Sequence, residues 1–150
     1  MRQLKRYVQA ALGLLIRHPI TGTGIIPVLP DGRIVLIQRR DNGKWSLPGG
    51  MVDWGEDIPA SVRRELGEET GLELVKINRL VGVYSHPERD PRFHSICVVV
   101  EAEVEGSLQA QDTLEVMDVK AFLPSELPKV LSHDSGRQLQ DYFKGMTTVA

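Results

Sequence analysis

Three glutamates in the middle of the chain are spaced so that a single short helix would carry all of them on one face. Glu65, Glu68 and Glu69 stand at positions i, i+3 and i+4, which fall within about 100° of arc on an α-helix. Carboxylates at such spacings repel each other by about 0.2–0.5 kcal/mol per pair even in water. The concentration of acids, with Glu56 upstream, is best explained if the cluster binds a cation.

The residues around these glutamates carry the signals that begin and end a helix. Asp57 is a good N-cap residue, Pro59 is tolerated in the first turn, and Gly71 suits the left-handed position after the last turn. These signals predict a helix over residues 58–70, with the glutamates on it.

On both sides of this helix, apolar segments alternate with turn signals. The predicted strands cover residues 23–29, 34–40, 72–83, 93–103 and 116–123, and a closing helix covers residues 135–143. A turn signal at residues 30–33 makes the first two strands a hairpin. The elements predict one α/β sandwich with a mixed sheet. It would span residues 23–145, after a helical extension (1–22) and before a loose C-terminal tail (146–150).

Size and composition are those of an ordinary globular domain. The chain has 150 residues, of which 41% are hydrophobic and 25% charged. A net charge of −2 offers no basic surface for a nucleic-acid polymer, although single nucleotides stay open as substrates because a metal can neutralise their phosphates. The only cysteine, Cys97, lies in an apolar run, where a buried and inert thiol is expected. These features favour the reducing cytoplasm.

The first residues resemble a signal peptide only superficially. Basic residues precede a short apolar stretch (8–16), but no small-residue cleavage site follows, and the stretch is too short to span a bilayer. Its apolar residues follow helical spacing instead: Leu4, Val8, Ala11, Leu12 and Leu15. We expect an amphipathic helix that packs on the domain or on a second subunit of a homodimer, rather than on a membrane.

The stretch from Gly50 to Leu72 fits the pattern G-x5-E-x7-R-E-U-x-E-E-x-G-U, in which U is an aliphatic residue, at every constrained position. The pattern closely resembles the signature of the Nudix hydrolase (MutT-like) family. The resemblance implies an α/β/α sandwich with a mixed sheet. It also implies an enzyme that hydrolyses the diphosphate of a nucleoside diphosphate linked to another group, with Mg²⁺ as cofactor or Mn²⁺ in its place.

The chemistry of the acid cluster agrees with a metal-assisted reaction. Carboxylate oxygens suit Mg²⁺ or Mn²⁺, and nothing in the segment offers the cysteine and histidine set of a zinc site. A metal held there can offset the charge of a diphosphate and lower the pKa of a coordinated water. A nearby carboxylate can take the proton as that water attacks phosphorus. The expected result is cleavage of a P–O–P bond into two phosphate-bearing products.

The resemblance also implies which residues bind the metal. Glu65, Glu68 and Glu69 match the metal-binding glutamates of the family, which are catalytic residues there. The backbone carbonyl just before the first glycine of the motif is often a further ligand, which here is that of Gly49.

Further roles follow from the same resemblance. Glu56 matches the glutamate that helps to orient the arginine of the motif, and Arg64 would hold the acids in register through charge-assisted hydrogen bonds. The general base varies within the family. Some members place another acid on a later loop, for which Glu115 is the first candidate here, with Asp112 and Glu101 behind it.

A loop between two predicted strands reads S-x-P-x-R-D-P-R-x-H and looks like that of ADP-ribose pyrophosphatase-type members. Arg89 and Arg92 could bind a phosphate or ribose phosphate, and His94 could bond a sugar or phosphate oxygen. Equally, the loop could be a surface loop braced by Arg–Asp pairs. Arg39 and Arg40, just before the motif, are further candidates for substrate binding or for pairing with an acid.

Three functions stay open on the sequence alone. The favoured one is Mg²⁺-dependent hydrolysis of ADP-ribose or a nucleotide sugar. The second is a nucleoside triphosphate pyrophosphatase, including the kind that removes oxidised dNTPs. The third is a Nudix module that senses a nucleotide without cleaving it, which the intact set of motif acids disfavours.

Overall fold

A mixed β-sheet forms the centre of the molecule. The computed structural model describes residues 2–15 and 17–150, so Ile16, at the end of the apolar N-terminal stretch, lies outside the described residues. In chain order the elements are α1 (Arg2–Leu15), β1 (Ile20–Val28), β2 (Ile34–Arg39), β3 (Trp45–Ser46), β4 (Gly49–Met51), α2 (Ile58–Thr70), β5 (Glu73–Tyr84), β6 (Ser95–Glu105), β7 (Val116–Phe122), α3 (Ser135–Phe143) and β8 (Thr148–Val149). A short 3₁₀ turn covers Pro124–Glu126.

The strands follow the order β3-β2-β1-β6-β5-β8, while β4 also pairs with β1 and β7 also pairs with β2. The pairs β1–β6 and β5–β8 are parallel and the others antiparallel, so the sheet is mixed, as predicted. β1 lies centrally, and its partner β4 carries the glycines that begin the motif.

Each face of the sheet has its own hydrophobic core because successive strand residues point to opposite sides. Val62 and Leu66 of α2 pack with Ile25 on one face. Leu139 of α3 packs with Ile26 on the other face. The two helices thus cover opposite faces, which confirms the expected α/β/α sandwich.

Helix α2 begins and ends where its local signals predict. The Asp57 carboxylate accepts a hydrogen bond from the Ala60 N–H at 2.8 Å. At the other end Gly71 adopts the left-handed conformation (φ 75°) and donates its N–H to the Gly67 carbonyl. The predicted strands lie within three residues of the observed ones.

The expectation of a loose C-terminal tail is wrong at its end. Thr148–Val149 form β8, which pairs with β5 in parallel, and the Ala150 N–H donates to the Val83 carbonyl at 2.9 Å. Two residues are too few for a strand pattern in the sequence, so the pairing depends on the exposed edge of β5.

The N-terminal segment forms the predicted helix, but four apolar residues of its described part are exposed and not buried against the domain. Leu4, Val8, Leu12 and Leu15 are between 48% and 78% exposed. The polar side of α1 faces the domain instead, where Lys5 pairs with Asp53 at 3.5 Å. In the described part of the chain, no helix is both long and apolar enough to cross a membrane.

Candidate active site

The acidic face of α2 is turned into the molecule. Glu65 is fully buried and Glu69 almost so, while Glu68 is partly exposed. The spacing of the three glutamates therefore places them on one face of the helix, as predicted. Two of the carboxylates, however, are buried, whereas those of an acidic surface patch would be exposed to solvent. Burying carboxylates is costly unless a cation or hydrogen-bond donors compensate.

Arg64 is the cation that the motif itself supplies. Its Nε donates to Glu56 Oε1 at 2.6 Å, its Nη1 to Glu65 Oε1 at 2.7 Å, and its Nη2 to the Met51 carbonyl at 3.0 Å. The hydrogen bonds from Arg64 lower the pKa of Glu56 from 4.5 to about 2. The guanidinium thus links α2 to β4 and to the loop between them, which is the arrangement that a bracing role requires.

The glycines of β4 allow the chain to approach the carboxylates closely. The Gly49 N–H donates to Glu69 Oε2 at 2.8 Å, so the backbone contact seen at Gly49 is through its N–H, whereas the predicted metal contact is through its carbonyl. At Gly50, a Cβ atom would overlap with the Glu65 carboxylate and with the guanidinium of Arg6. A larger residue at this position would have to displace one or both of these side chains.

A loop docked on the C-terminal end of α2 brings Glu115 to the cluster. The Gln111 and Asp112 N–H groups donate to the Glu68 carbonyl, in the last turn of the helix, at 2.9 and 2.8 Å. The Asp112 carboxylate accepts from the Glu115 N–H at 3.3 Å. Asp112 therefore shapes the loop. Glu101 lies elsewhere on the sheet, bonded to Asn78 at 3.0 Å.

Arg6 of α1 lies between Glu65 and Glu115. Its Nη2 is 3.2 Å from Glu65 Oε1, and its Nη1 donates to Glu115 Oε2. Burial acts to lower the pKa of Arg6, but the charges of Glu65 and Glu115 outweigh it and raise that pKa. The sequence analysis missed this residue because it lies 59 positions from Glu65, in a helix expected to contribute apolar contacts.

The pKa of Glu69 is raised well above its ordinary value. Burial is the main cause, and the negative charge of Glu65 adds to it. The Gly49 N–H and the charge of Arg6 act in the opposite direction without reversing the shift. A further positive charge at this point would therefore stabilise the ionised carboxylate.

The predicted metal ligands are not assembled as a finished site. Within residues 2–15 and 17–150, no three Asp, Glu, His or Cys side chains are grouped so that they could hold one metal ion. A guanidinium cation occupies the space between Glu65 and Glu115 instead. The residues nevertheless fit a hard divalent cation, because the donors are carboxylate oxygens and because the place already attracts a positive charge.

A cavity of about 650 Å³ extends from this cluster across the end of the sheet. Four of the predicted substrate-binding residues line it: Arg39, Arg40, Arg89 and Arg92. His94 is not part of its lining, and its Nε2 lies 2.9 Å from the Ser85 carbonyl oxygen.

The arginines that line the cavity also have protein partners. Arg92 pairs with Asp90 at 2.8 Å, and Arg39 pairs with Asp41 at 2.7 Å. Arg40 donates from Nε to the Thr113 carbonyl at 2.9 Å. The Arg–Asp bracing considered for the loop is thus present, and it holds these guanidiniums at the edge of the cavity.

Several other residues of the cavity had no signal in the sequence. Ser46, His133, Asp134 and Gln138 line it together with the arginines. His133 is exposed, and its pKa is lowered by partial burial first and then by the charges of Arg39 and Arg92. Ser46 belongs to β3, His133 and Asp134 to the loop before α3, and Gln138 to α3, so only the folded protein brings them together.

Comparisons with known proteins identify the family to which the chain belongs. The family profile of the NUDIX domain matches residues 18–142. The ADP-ribose pyrophosphatase of Methanocaldococcus jannaschii is 40% identical over 148 residues, which cover 95% of this chain and 80% of that protein. The chain therefore belongs to the Nudix family, as the pattern from Gly50 to Leu72 predicts, and it is a Nudix hydrolase.

Solved structures show the same fold. The crystal structure of a MutT Nudix hydrolase from Burkholderia pseudomallei has a TM-score of 0.72 and 32% identity, covering 83% of this chain and 98% of that one. The Nudix domain of NrtR from Shewanella oneidensis, solved in complex with ADP ribose, has a TM-score of 0.73 and 24% identity, covering 85% and 88% of the two chains.

Proposed function

We propose that this Nudix hydrolase cleaves the diphosphate of ADP-ribose, or of a related nucleotide sugar, to give AMP and ribose 5-phosphate or their counterparts. The observation that carries the proposal is one cavity lined by the buried carboxylate of Glu69, the partly exposed carboxylate of Glu115 and several arginines. A diphosphate needs both features, because its oxygens bind cations and its cleavage needs a base. The similarity to an ADP-ribose pyrophosphatase over most of the chain supports the same substrate.

The proposed cofactor is Mg²⁺, with Mn²⁺ as a substitute. Glu65, Glu68, Glu69 and Glu115 would hold it, together with the Gly49 carbonyl. When bound, the ion offsets phosphate charge and lowers the pKa of a coordinated water.

The side chains of the chain perform the remaining steps of the proposed reaction. Arg64 keeps the Glu65 carboxylate oriented through its 2.7 Å hydrogen bond. Arg39 and Arg92 bind phosphate oxygens from the cavity wall. Glu115 is the proposed base, because its side chain is 31% exposed and so reaches the solvent that supplies the water, whereas Glu65 is fully buried.

The proposal also covers the setting of the reaction. We assign the enzyme to the cytoplasm and to small-molecule substrates, since a net charge of −2 gives no basic surface for a nucleic-acid polymer.

A homodimer would cover the exposed Leu4, Leu12 and Leu15 of α1. Analytical ultracentrifugation tests it, and a monomer at all concentrations would contradict it.

The activity is tested with purified protein, Mg²⁺ and ADP-ribose, by detecting AMP and ribose 5-phosphate. A parallel series of dNTPs, NADH and dinucleoside polyphosphates, ranked by kcat/KM, measures preference. Turnover no greater than that of Glu69→Gln would refute hydrolysis of ADP-ribose. A higher kcat/KM for dNTPs would favour the triphosphate pyrophosphatase, and tight binding without any product would favour a sensing module.

A further inference from the structure

Asp134 stands at the N-cap position of α3 but does not cap the helix. Aspartate is favoured there because its carboxylate can accept a backbone N–H of the first turn. In this helix no such side-chain hydrogen bond forms. The Asp134 side chain is only 15% exposed, and its Oδ2 is buried without a hydrogen-bond partner in the described residues. A carboxylate oxygen in this state needs a donor from elsewhere.

Arg89 faces Asp134 and also has a buried polar atom without a hydrogen-bond partner in the described residues. Its Nε is buried without a partner among the residues described, and it lies 3.9 Å from Asp134 Oδ2, which is too far for a hydrogen bond. The far end of the guanidinium is fixed, because Nη2 donates to Ser95 Oγ. The arginine is thus held in place while its Nε–H is left available.

Asp134 and Arg89 line the cavity that Glu69 and Glu115 also line, and so does Ser46, whose Oγ is a third buried atom with no partner in the described chain. Three residues from three separate segments therefore line one cavity, and each of them has a buried polar atom without a hydrogen-bond partner. Since buried polar groups are almost always paired in native proteins, this arrangement indicates a polar ligand group.

We infer that Asp134 and Arg89 form a subsite for a sugar hydroxyl of the substrate. A hydroxyl both donates and accepts, so one oxygen placed between the two side chains could donate to Asp134 Oδ2 and accept from Arg89 Nε. A gap of 3.9 Å between Nε and Oδ2 can be bridged in this way by two hydrogen bonds of ordinary length. A phosphate group only accepts, and its charge would oppose that of Asp134.

The inference rests on the proposed function and adds a reason for its specificity. A nucleotide sugar brings hydroxyls on both sides of its diphosphate, whereas a nucleoside triphosphate brings a further phosphate on one side. A site that holds a hydroxyl through buried charged groups discriminates strongly against analogues without it, because those groups are then left unpaired.

Two analogues test the subsite and show which ribose it binds. One is ADP esterified with tetrahydrofurfuryl alcohol, which keeps the second sugar ring without hydroxyls. The other is ADP-ribose with a 2′,3′-dideoxyadenosine half. For the wild type, we expect one of them to have a kcat/KM about 10- to 100-fold below that of ADP-ribose. In Asp134→Ala the same analogue and ADP-ribose should differ by no more than about 3-fold.

The controls separate this subsite from a general loss of structure. Asp134→Asn keeps an acceptor oxygen and should give an intermediate loss on ADP-ribose. Asp118→Asn removes an exposed carboxylate of β7. It should leave the ratios of kcat/KM between ADP-ribose and the two analogues as in the wild type. The inference would be overturned if Asp134→Ala lowered kcat/KM equally for ADP-ribose and for both analogues. It would also be overturned if the wild type had the same kcat/KM for ADP-ribose as for both analogues.

Binding calorimetry distinguishes this failure from that of the proposed function. Ribose 5-phosphate and tetrahydrofurfuryl phosphate are titrated into wild type and Asp134→Ala without metal. A wild-type preference for ribose 5-phosphate that the variant loses supports a subsite for the second ribose even if ADP-ribose is not hydrolysed. If the wild type hydrolyses ADP-ribose but shows no preference for the hydroxyl-bearing compound in either the kinetic or the calorimetric assay, the subsite is rejected and the proposed activity is retained.

Discussion

Replacing Arg6 with glutamine should tighten the binding of Mg²⁺ or Mn²⁺. The guanidinium lies between Glu65 and Glu115, at 3.2 Å from Glu65 Oε1 and in contact with Glu115 Oε2. Both carboxylates are proposed metal ligands. A metal ion and the guanidinium need the same oxygens, so one must leave when the other binds.

The expected magnitude follows from the contacts that the metal must replace. A hydrogen bond to a charged group contributes about 1.5–3 kcal/mol. Arg6 makes such hydrogen bonds to two carboxylates, but its side chain is 20% exposed, so hydration of the guanidinium offsets part of the loss when it leaves. We take the free energy of one such hydrogen bond as the net cost of displacing Arg6 from the carboxylates. This corresponds to a metal Kd about 10- to 150-fold lower in Arg6→Gln than in the wild type.

Isothermal titration calorimetry with Mn²⁺, without substrate, measures this difference directly. Lys5→Gln is the matched control, because Lys5 lies in the same helix and pairs with Asp53 at 3.5 Å without touching the cluster. Its Kd should change by less than about twofold, since an exposed pair contributes little. Hydrogen exchange gives a second readout: Mn²⁺ should speed exchange in α1 of the wild type, and α1 of Arg6→Gln should exchange fast with or without metal.

Two results would refute this reasoning. An unchanged or higher Kd in Arg6→Gln would mean that the guanidinium does not compete with the metal for these oxygens. An equal tightening in Lys5→Gln would mean that the effect is a general one of charge and does not depend on the contacts of Arg6.

The other predictions concern the motif and the core. Glu69→Gln should lower kcat by several orders of magnitude with little change in Tm, because the fold already favours a neutral carboxyl there, and a large fall in Tm would contradict this. Gly50→Ala should lower both Tm and metal affinity because the added Cβ overlaps with the cluster, and wild-type values would show that the site can widen. The pKa of Glu56 is lowered from 4.5 to about 2, so its contribution to the free energy of unfolding is present above pH 4.5 and is lost as the pH falls towards 2. Denaturant titrations should show this loss in the wild type but not in Arg64→Ala, which should also lose activity. Burial raises the pKa of the Cys97 thiol to about 11, so iodoacetamide should react slowly with the native protein and quickly after unfolding, and fast native reaction would refute the buried position.

Local chemistry made helix α2 predictable. Asp57 and Gly71 act through bonds within a few residues of themselves, so their effect does not depend on the rest of the fold. The glutamates follow from the same helix, because spacing alone fixes which face they share. The strands were predictable from apolar runs for the same reason.

Positions that depend on long-range contacts could not be derived in this way. Glu115 was a candidate only by resemblance, and its approach to the cluster depends on a loop that bonds to the last turn of α2. Arg6 and Asp134 had no local signal, since each acquires its role from residues far away in the sequence. The amphipathic pattern of α1 predicted a helix correctly but not which side faces the domain, because the ion pairs of Arg6 and Lys5 oppose the apolar preference.

The charges of the site explain why we expect a metal ion there in addition to the positive charge of an arginine side chain. Five carboxylates and two guanidiniums meet there: Glu56, Glu65, Glu68, Glu69 and Glu115 with Arg6 and Arg64. The formal charge is therefore −3 when every carboxyl is ionised. Arg64 belongs to the motif, and its contacts with Glu56 and Glu65 leave Glu69 and Glu115 to other cations. Arg6 reaches Glu115, yet the pKa of Glu69 stays raised, so one further single charge does not balance the cluster. A divalent ion in the place of Arg6 brings twice that charge to the same oxygens, and this difference is the physical reason to expect exchange of the guanidinium for a metal.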